Sequence, residues 1–358
     1  MQEVVRDLGC YVLPGKATDA RLGISQAVIA ENIGLGSVWA SERWATKESG
    51  VVLGAIAQAT RTIGLRTGTT HFGTRHPLVL AGLCSTLQTI SGGRFEMAIA
   101  RSLTDKWRRL GVPAQTNQSM IDTLDILRRL WAGETVSYSG PAGEFPEMSV
   151  TDRPERDTPV LLAAVGPKTL AIAGAYFDAA VLHPFLTPEG VRRSAAIVRA
   201  AACAAGRDPT AVRIVATVVV APDMSEADTR AAINARAATY MVHRAMVLPI
   251  LAANQWDIAE LDPISALNLE RLETELVSAE EVRARMLQAS TLLPDHWLSE
   301  GAAAGSAATV AARLKEYRAA GADEILLHGA TADRLEGLVD AYRSLGRTAP
   351  AKAASHAR

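Results

Sequence analysis

Eight short apolar runs recur along this chain, most followed by a longer stretch of helical periodicity, and this alternation constrains the fold more than any other feature. The runs fall at residues 8–12, 37–40, 64–69, 95–100, 160–164, 179–182, 212–220 and 324–328. Helical patterns lie at 19–32, 49–60, 77–90, 118–131, 167–175, 188–205 and 333–345. Strands alternating with helices build a parallel sheet, and eight is the number that closes a (β/α)8 TIM barrel. An open doubly wound sheet carries the same alternation, so the rhythm alone leaves both open. Gly34, Gly93, Gly174 and Gly321 stand between a helix and the next strand, where a left-handed C-cap is expected of each.

Two stretches depart from a plain barrel. Residues 134–159 carry Gly140-Pro141 and Gly143 among polar and β-type residues, as in a hairpin or loop. A helical insertion of about 223–300 separates the seventh strand from the eighth, with Ser278 and Glu281 spaced as a capping box and prolines 222, 249, 263 and 294 as breaks. It is expected to pass over the C-terminal face of the barrel. One domain over 1–347 accounts for the pattern, and residues 348–358, poor in large apolar side chains, are expected to form a flexible tail.

With 37 basic and 38 acidic residues the formal charge is −1, which gives no general electrostatic reason to expect nucleic acid or an anionic membrane as partner. Any anion must be held by a local site. Cys10, Cys84 and Cys203 are too few and too far apart for a metal site or a disulfide framework, and free thiols in a reducing compartment are expected. Glu3, Arg6 and Asp7 stand where a secretory signal needs an apolar core, so the expected location is the cytoplasm.

Several residues carry chemistry. Gly166-Pro-Lys-Thr169 follows a strand and opens a helix, so free amides and the positive end of the helix dipole suit an anion there. Pro167 sacrifices no intrahelical bond, Lys168 adds charge and Thr169 a hydroxyl, although the same pattern also makes an ordinary helix start. Ala98, Ala100 and Ser102 share one face if their strand persists, and small side chains there let a flat ring approach. Arg101, Lys106, Arg108 and Arg109 offer charge for an anionic tail. His183 and His328, each at a strand end on the catalytic rim, are candidates for a general acid. His76, before Pro77, reads as structural. His243 and His296 fall in the insertion on the expected substrate side, and scattered histidines without mutual spacing suggest no metal.

Seven strings in order resemble the luciferase-like monooxygenase superfamily, in particular its branch that uses the deazaflavin coenzyme F-420. They are Gly36-Ser-Val-Trp-Ala-Ser-Glu42; Thr67-Gly-Thr-Thr-His71 with Arg75-His-Pro77; Ser91-Gly-Gly-Arg-Phe95; Leu130-Trp-Ala-Gly-Glu134; Ala163-Ala-Val-Gly-Pro-Lys-Thr169; Ala204-Ala-Gly-Arg-Asp-Pro209; and Ala320-Gly-Ala-Asp323. The resemblance implies a parallel barrel with an insertion between the last two strands, often dimeric, transferring hydride between coenzyme F-420 and a small organic substrate. It also implies a backbone bulge with an unusual peptide bond behind the cofactor ring, so Thr69, Thr70 and His71 become candidates for ring contact. Ala164 and residues 166–169 become candidates for the cofactor's phosphate side.

The chain departs from the family in two places. Many relatives place a histidine after the acidic residue of the second strand, whereas Arg43 follows Glu42 here and cannot exchange protons near neutrality. Glu42 is read as orienting Arg43, and Arg43 as binding a substrate carboxylate or carbonyl oxygen; a structural salt bridge is the alternative. Leu103 stands where the deazaflavin sugar-phosphate dehydrogenases are expected to carry a glutamate, which disfavours that activity. An FMN-dependent monooxygenase and a cofactor-binding protein without catalysis remain as alternative readings.

Overall fold

The computed structural model describes residues 3–13, 19–42, 47–101, 111–151, 153, 156–241, 244–267, 269 and 279–347. Arg43, Ser102, Leu103, Lys106, Arg108, Arg109, His243, Ser278 and the tail 348–358 lie outside the described residues. In chain order the strands are β1 (Val5–Val12), β2 (Leu35–Ala40), β3 (Gly64–Thr67), β4 (Thr70–His71), β5 (Phe95–Ala100), β6 (Val136–Gly140), β7 (Gly143–Met148), β8 (Val160–Ala164), β9 (Ala179–Leu182), β10 (Arg213–Pro222), β11 (Ala302–Gly305) and β12 (Glu324–His328). The helices that flank them are α1 (Arg21–Asn32), α2 (Ser49–Ala59), α3 (Pro77–Ser91), α4 (Asn117–Ala132), α5 (Pro167–Tyr176) and α6 (Pro188–Ala204). Then follow α7 (Glu226–Met241), α8 (Arg244–Asn254), α9 (Ala279–Thr291), α10 (Asp295–Gly301), α11 (Ala307–Ala319) and α12 (Glu336–Arg347).

The sheet closes on itself. Parallel pairing runs β1–β2–β3–β5–β8–β9–β10–β12 and returns from β12 to β1, with Leu8 opposite Ile325, which excludes the open doubly wound sheet. All eight expected strands are present, but the third is interrupted: β3 ends at Thr67, the Gly68–Thr69 peptide is cis, and β4 resumes pairing with β5. The segment around Gly140 is the hairpin β6–β7. Strand β10 runs past the rim, where its last residues leave β9 and pair with β11, and α7 to α10 form the excursion between them. Neither β11 nor α11 stands out as a separate element in the sequence.

Each barrel strand is buried on both faces, so its residues divide by parity. Trp39, Ala98, Leu161, Ala179, Val181, Val215 and Leu326 meet inside the barrel, while the alternate residues pack outward against the helices. At the N-terminal end the interior turns ionic. Arg66 pairs with Glu96 at 2.6 Å and with Glu324, and Arg213 pairs with Glu324 at 2.6 Å and Glu96 at 2.9 Å, a closed ring spanning β3, β5, β10 and β12. The loops are fixed by equally local means. Arg94 of the Ser-Gly-Gly-Arg string donates to the carbonyls of Ala57, Thr60, Ile63 and Ser91, while Asp178 and Asp323 accept from Val160 N and Ile214 N at the starts of strands.

Gly34, Gly93 and Gly321 have the expected positive φ, but Gly174 does not. It lies inside α5, where a Cβ would stand 2.1 Å from the Val198 carbonyl oxygen of α6. Its requirement is close helix packing rather than a left-handed turn. All three cysteines are free thiols, with Cys10 and Cys84 buried and Cys203 exposed.

Candidate active site at the C-terminal mouth

One wall of the mouth is built from small residues. Ala98 lies inside the barrel on β5, and Ala100, two residues on, shares its face toward the rim. On β8 the inward residue is Ala163; Ala164, expected in cofactor contact, turns its side chain into the outer core. That correction follows from parity alone. Next to them Gly68 sits so close to β1 and β2 that a Cβ would meet the Tyr11 ring at 2.8 Å and Trp39 Cβ at 3.0 Å. Only glycine fits there.

Behind this wall the three ring-contact candidates separate. Thr69 and His71 are partly exposed at the strand break, with His71 in register with Ala100. Thr70 is fully buried, and its hydroxyl donates to Glu42 Oε2 and accepts from Arg75 Nη1 at 2.7 Å, so its side chain braces the rim instead of facing a ring. The expected partner of Glu42, Arg43, lies outside the described residues; among those described, Arg75 grips the Glu42 carboxylate at 2.5 and 2.6 Å and also pairs with Glu48, which caps α2. Glu42 Oε2 is thus an acceptor on two donors, suited to positioning. Arg75 was visible in a family string, but nothing local in the sequence indicated its partners.

The helix start expected to suit an anion opens α5. Gly166 is its N-cap in extended conformation, Pro167 occupies the first turn, and no side chain caps the helix. By contrast α2, α3, α4, α6 and α11 are capped by Glu48, His76, Thr116, Thr187 and Ser306. His76 is thus structural, as expected. Lys168 is exposed, Gly166 and Thr169 are partly so, and among the described residues a Cβ on Gly166 would find only Pro249 of α8, at 3.9 Å. The helix start thus offers uncapped amides and the positive end of its dipole, with exposed Lys168 in its first turn. Arg101 is exposed on the rim and donates to Asn117 at the start of α4 at 3.0 Å.

The opposite wall carries rings. His183 follows β9, His328 ends β12, Tyr11 lies on β1, and Tyr240 comes down from α7. His183 Nδ1 donates to the Pro184 carbonyl at 2.9 Å, which leaves Nε2 as the acceptor. Burial pushes its pKa down to about 4, outweighing that hydrogen bond, so the ring is neutral near pH 7. A neutral imidazole whose Nδ1–H is committed to a carbonyl offers Nε2 as an acceptor, which fits the expected role of general acid less well than that of acceptor or base. Its loop is rigid: Phe185 has a left-handed φ of 67°, Asn254 of α8 bridges Phe185 O and Thr187 N, and the Tyr317 hydroxyl donates to Leu186 O. His296 pairs with Glu260 at 3.3 Å beside the stacked Trp256 and Trp297, inside the excursion.

The mouth thus sets a wall of small side chains beside a helix start that no side chain caps. The luciferase-like monooxygenase family model matches residues 12–324. The chain is 28% identical over 203 residues to the F-420-dependent hydroxymycolic acid dehydrogenase of Mycobacterium tuberculosis, covering 52% of this chain and 55% of that protein. It is 27% identical over 207 residues to the 5,10-methylenetetrahydromethanopterin reductase of Methanolobus tindarius, covering 58% and 63%. The matches thus span little more than half the length of these relatives. Among solved structures, the coenzyme F-420-dependent tetrahydromethanopterin reductase of Methanopyrus kandleri superposes with a TM-score of 0.79 at 19% identity, covering 96% of this chain and 99% of that one, a likeness of fold.

Proposed function

The chain belongs to the luciferase-like monooxygenase family, and we propose that it is an oxidoreductase that uses coenzyme F-420 to exchange hydride with a small organic substrate. The observation that carries this reading is the small-residue wall of Gly68, Ala98, Ala100 and Ala163 beside the uncapped start of α5. The coenzyme, when bound, supplies the hydride-exchanging ring; the protein supplies position, exclusion of water and charge. Backbone at 68–71 backs the ring and Ala100 leaves room for it. The amides of α5, Lys168 and Thr169 hold the phosphate. Glu42, Thr70 and Arg75 lock the strand break in place, and Pro249 and Tyr240 of the excursion close the mouth from above. The F-420 dependence of the Mycobacterium and Methanopyrus relatives supports this choice of cofactor.

The test is an anaerobic assay in which loss of coenzyme F-420 fluorescence or its return is followed against a panel of alcohols and carbonyl compounds. Turnover is expected with at least one class; none across the panel with bound coenzyme contradicts hydride exchange. The family's own description favours one second reading, a monooxygenase that uses reduced FMN, and oxygen consumption dependent on reduced FMN would establish it in place of the first.

A further inference from the structure

Four rings cross the mouth opposite the small-residue wall. The Tyr240 hydroxyl lies 3.2 Å from His328 Nε2, and His328 stacks at a tilt on Tyr11 with centroids 4.7 Å apart. The edge of His183 meets Tyr240 at 4.8 Å, and Phe185 flanks it at 6.4 Å. His328 shares its inward face with Leu326 of the barrel interior and is 5% exposed, whereas Tyr240 above it is partly exposed. Ala237, Ala238 and Met241 are buried around Tyr240, which fixes the face that α7 presents. Packing alone needs a ring at position 240 but no hydroxyl.

We propose that Tyr240, held by His328, is the residue that handles the proton on a substrate oxygen, and that this end of the mouth takes an uncharged carbonyl or hydroxyl group. This rests on the hydride-exchange reading above, because a flat ring on the β3–β5–β8 wall leaves the substrate between itself and Tyr240. The polar groups presented by the four rings are two phenols and two imidazoles, one of them held neutral by burial. They suit a dipolar oxygen. In the reducing direction the carbonyl carbon accepts a hydride from the reduced deazaflavin while its oxygen takes the Tyr240 hydroxyl proton. The phenolate is held by the His328 Nε2–H until solvent returns a proton. In the oxidising direction the same transfers run backward, with the phenolate taking the alcohol's proton. Tyr240 is the catalytic residue here and His328 a positioning residue that acts through it.

The test uses cyclohexanone labelled at its carbonyl carbon, followed by infrared difference spectroscopy on the full chain without coenzyme, and then by single turnover with reduced coenzyme F-420. The bound carbonyl stretch is expected at lower frequency in the wild type, the shift is lost in Tyr240→Phe, which keeps the ring, and it is weakened in His328→Asn. Single turnover is expected to slow about a hundredfold or more in Tyr240→Phe at unchanged coenzyme affinity, and His328→Asn displaces its pH profile. No bound carbonyl band in the wild type, the same band in Tyr240→Phe, or a turnover rate within about threefold of wild type overturns the proposal. A Tyr240-dependent carbonyl shift in a protein that exchanges no hydride with deazaflavin upholds the oxygen site and overturns the coenzyme reading instead.

Discussion

Arg75 is the residue on which the rim between β2 and β3 depends. It holds the buried carboxylate of Glu42 and the Thr70 hydroxyl together and reaches outward to Glu48. Truncating one partner of a buried pair leaves the other charge without compensation, which typically costs about 3–5 kcal/mol. Arg75→Ala is therefore expected to lower the unfolding free energy by about that amount in urea titrations, and Arg75→Lys to recover only part, because an ammonium cannot fork between Glu42 and Thr70. A loss below about 1 kcal/mol in Arg75→Ala would show the network to be dispensable. His183 gives a pH signature with a definite sign. Its folded pKa of about 4 lies below the ordinary 6.5, so the unfolded chain takes up the proton first as pH falls. Its contribution is full above about pH 6.5 and declines toward pH 4, and His183→Asn should flatten the stability profile across that window. Neither residue's role was legible in the sequence, since each is set by partners that only the fold brings near.

Strands buried on both faces leave continuous apolar runs, so all eight were found. Single-residue parity and interruptions are weaker signals: the break at Gly68 was implied by the family resemblance and not by periodicity, and the outward turn of Ala164 appears only once register is known. The ring of Arg66, Glu96, Arg213 and Glu324 was hidden for the same reason, as four charges spread over the chain close only when the barrel does. Burial opposes the charge on Glu324, yet the two guanidinium groups outweigh it and hold the carboxyl below its ordinary value. At Gly174 the sequence suggested a cap and the structure shows a helix crossing. Gly174→Ala drives a methyl into the Val198 carbonyl and is expected to destabilise by about 1–3 kcal/mol. Because α5 carries the helix start proposed to hold the phosphate, coenzyme affinity should fall with it. An unchanged affinity would separate the helix start from the crossing.

At the scale of the whole molecule, α2 and α3 present Val51, Val79, Leu78 and Ile90 outward, with Val51 73% and Val79 57% exposed. An apolar face of this kind suits the homodimer implied by the resemblance. Val79→Arg is expected to give a monomer by light scattering where the wild type is a dimer; a dimer in both would place the interface elsewhere. The barrel, its insertion and the α5 helix start were legible because each leaves a contiguous pattern, whereas the ring cluster at the mouth joins residues 11, 183, 240 and 328 across the closed sheet. That mouth is proposed to hold coenzyme F-420. Titrating the purified chain in parallel with coenzyme F-420 and with FMN, by fluorescence, tests it most directly. Saturable binding of coenzyme F-420, tighter than that of FMN and weakened in Lys168→Ala, is predicted; tighter binding of FMN, or an F-420 affinity indifferent to Lys168, would contradict it.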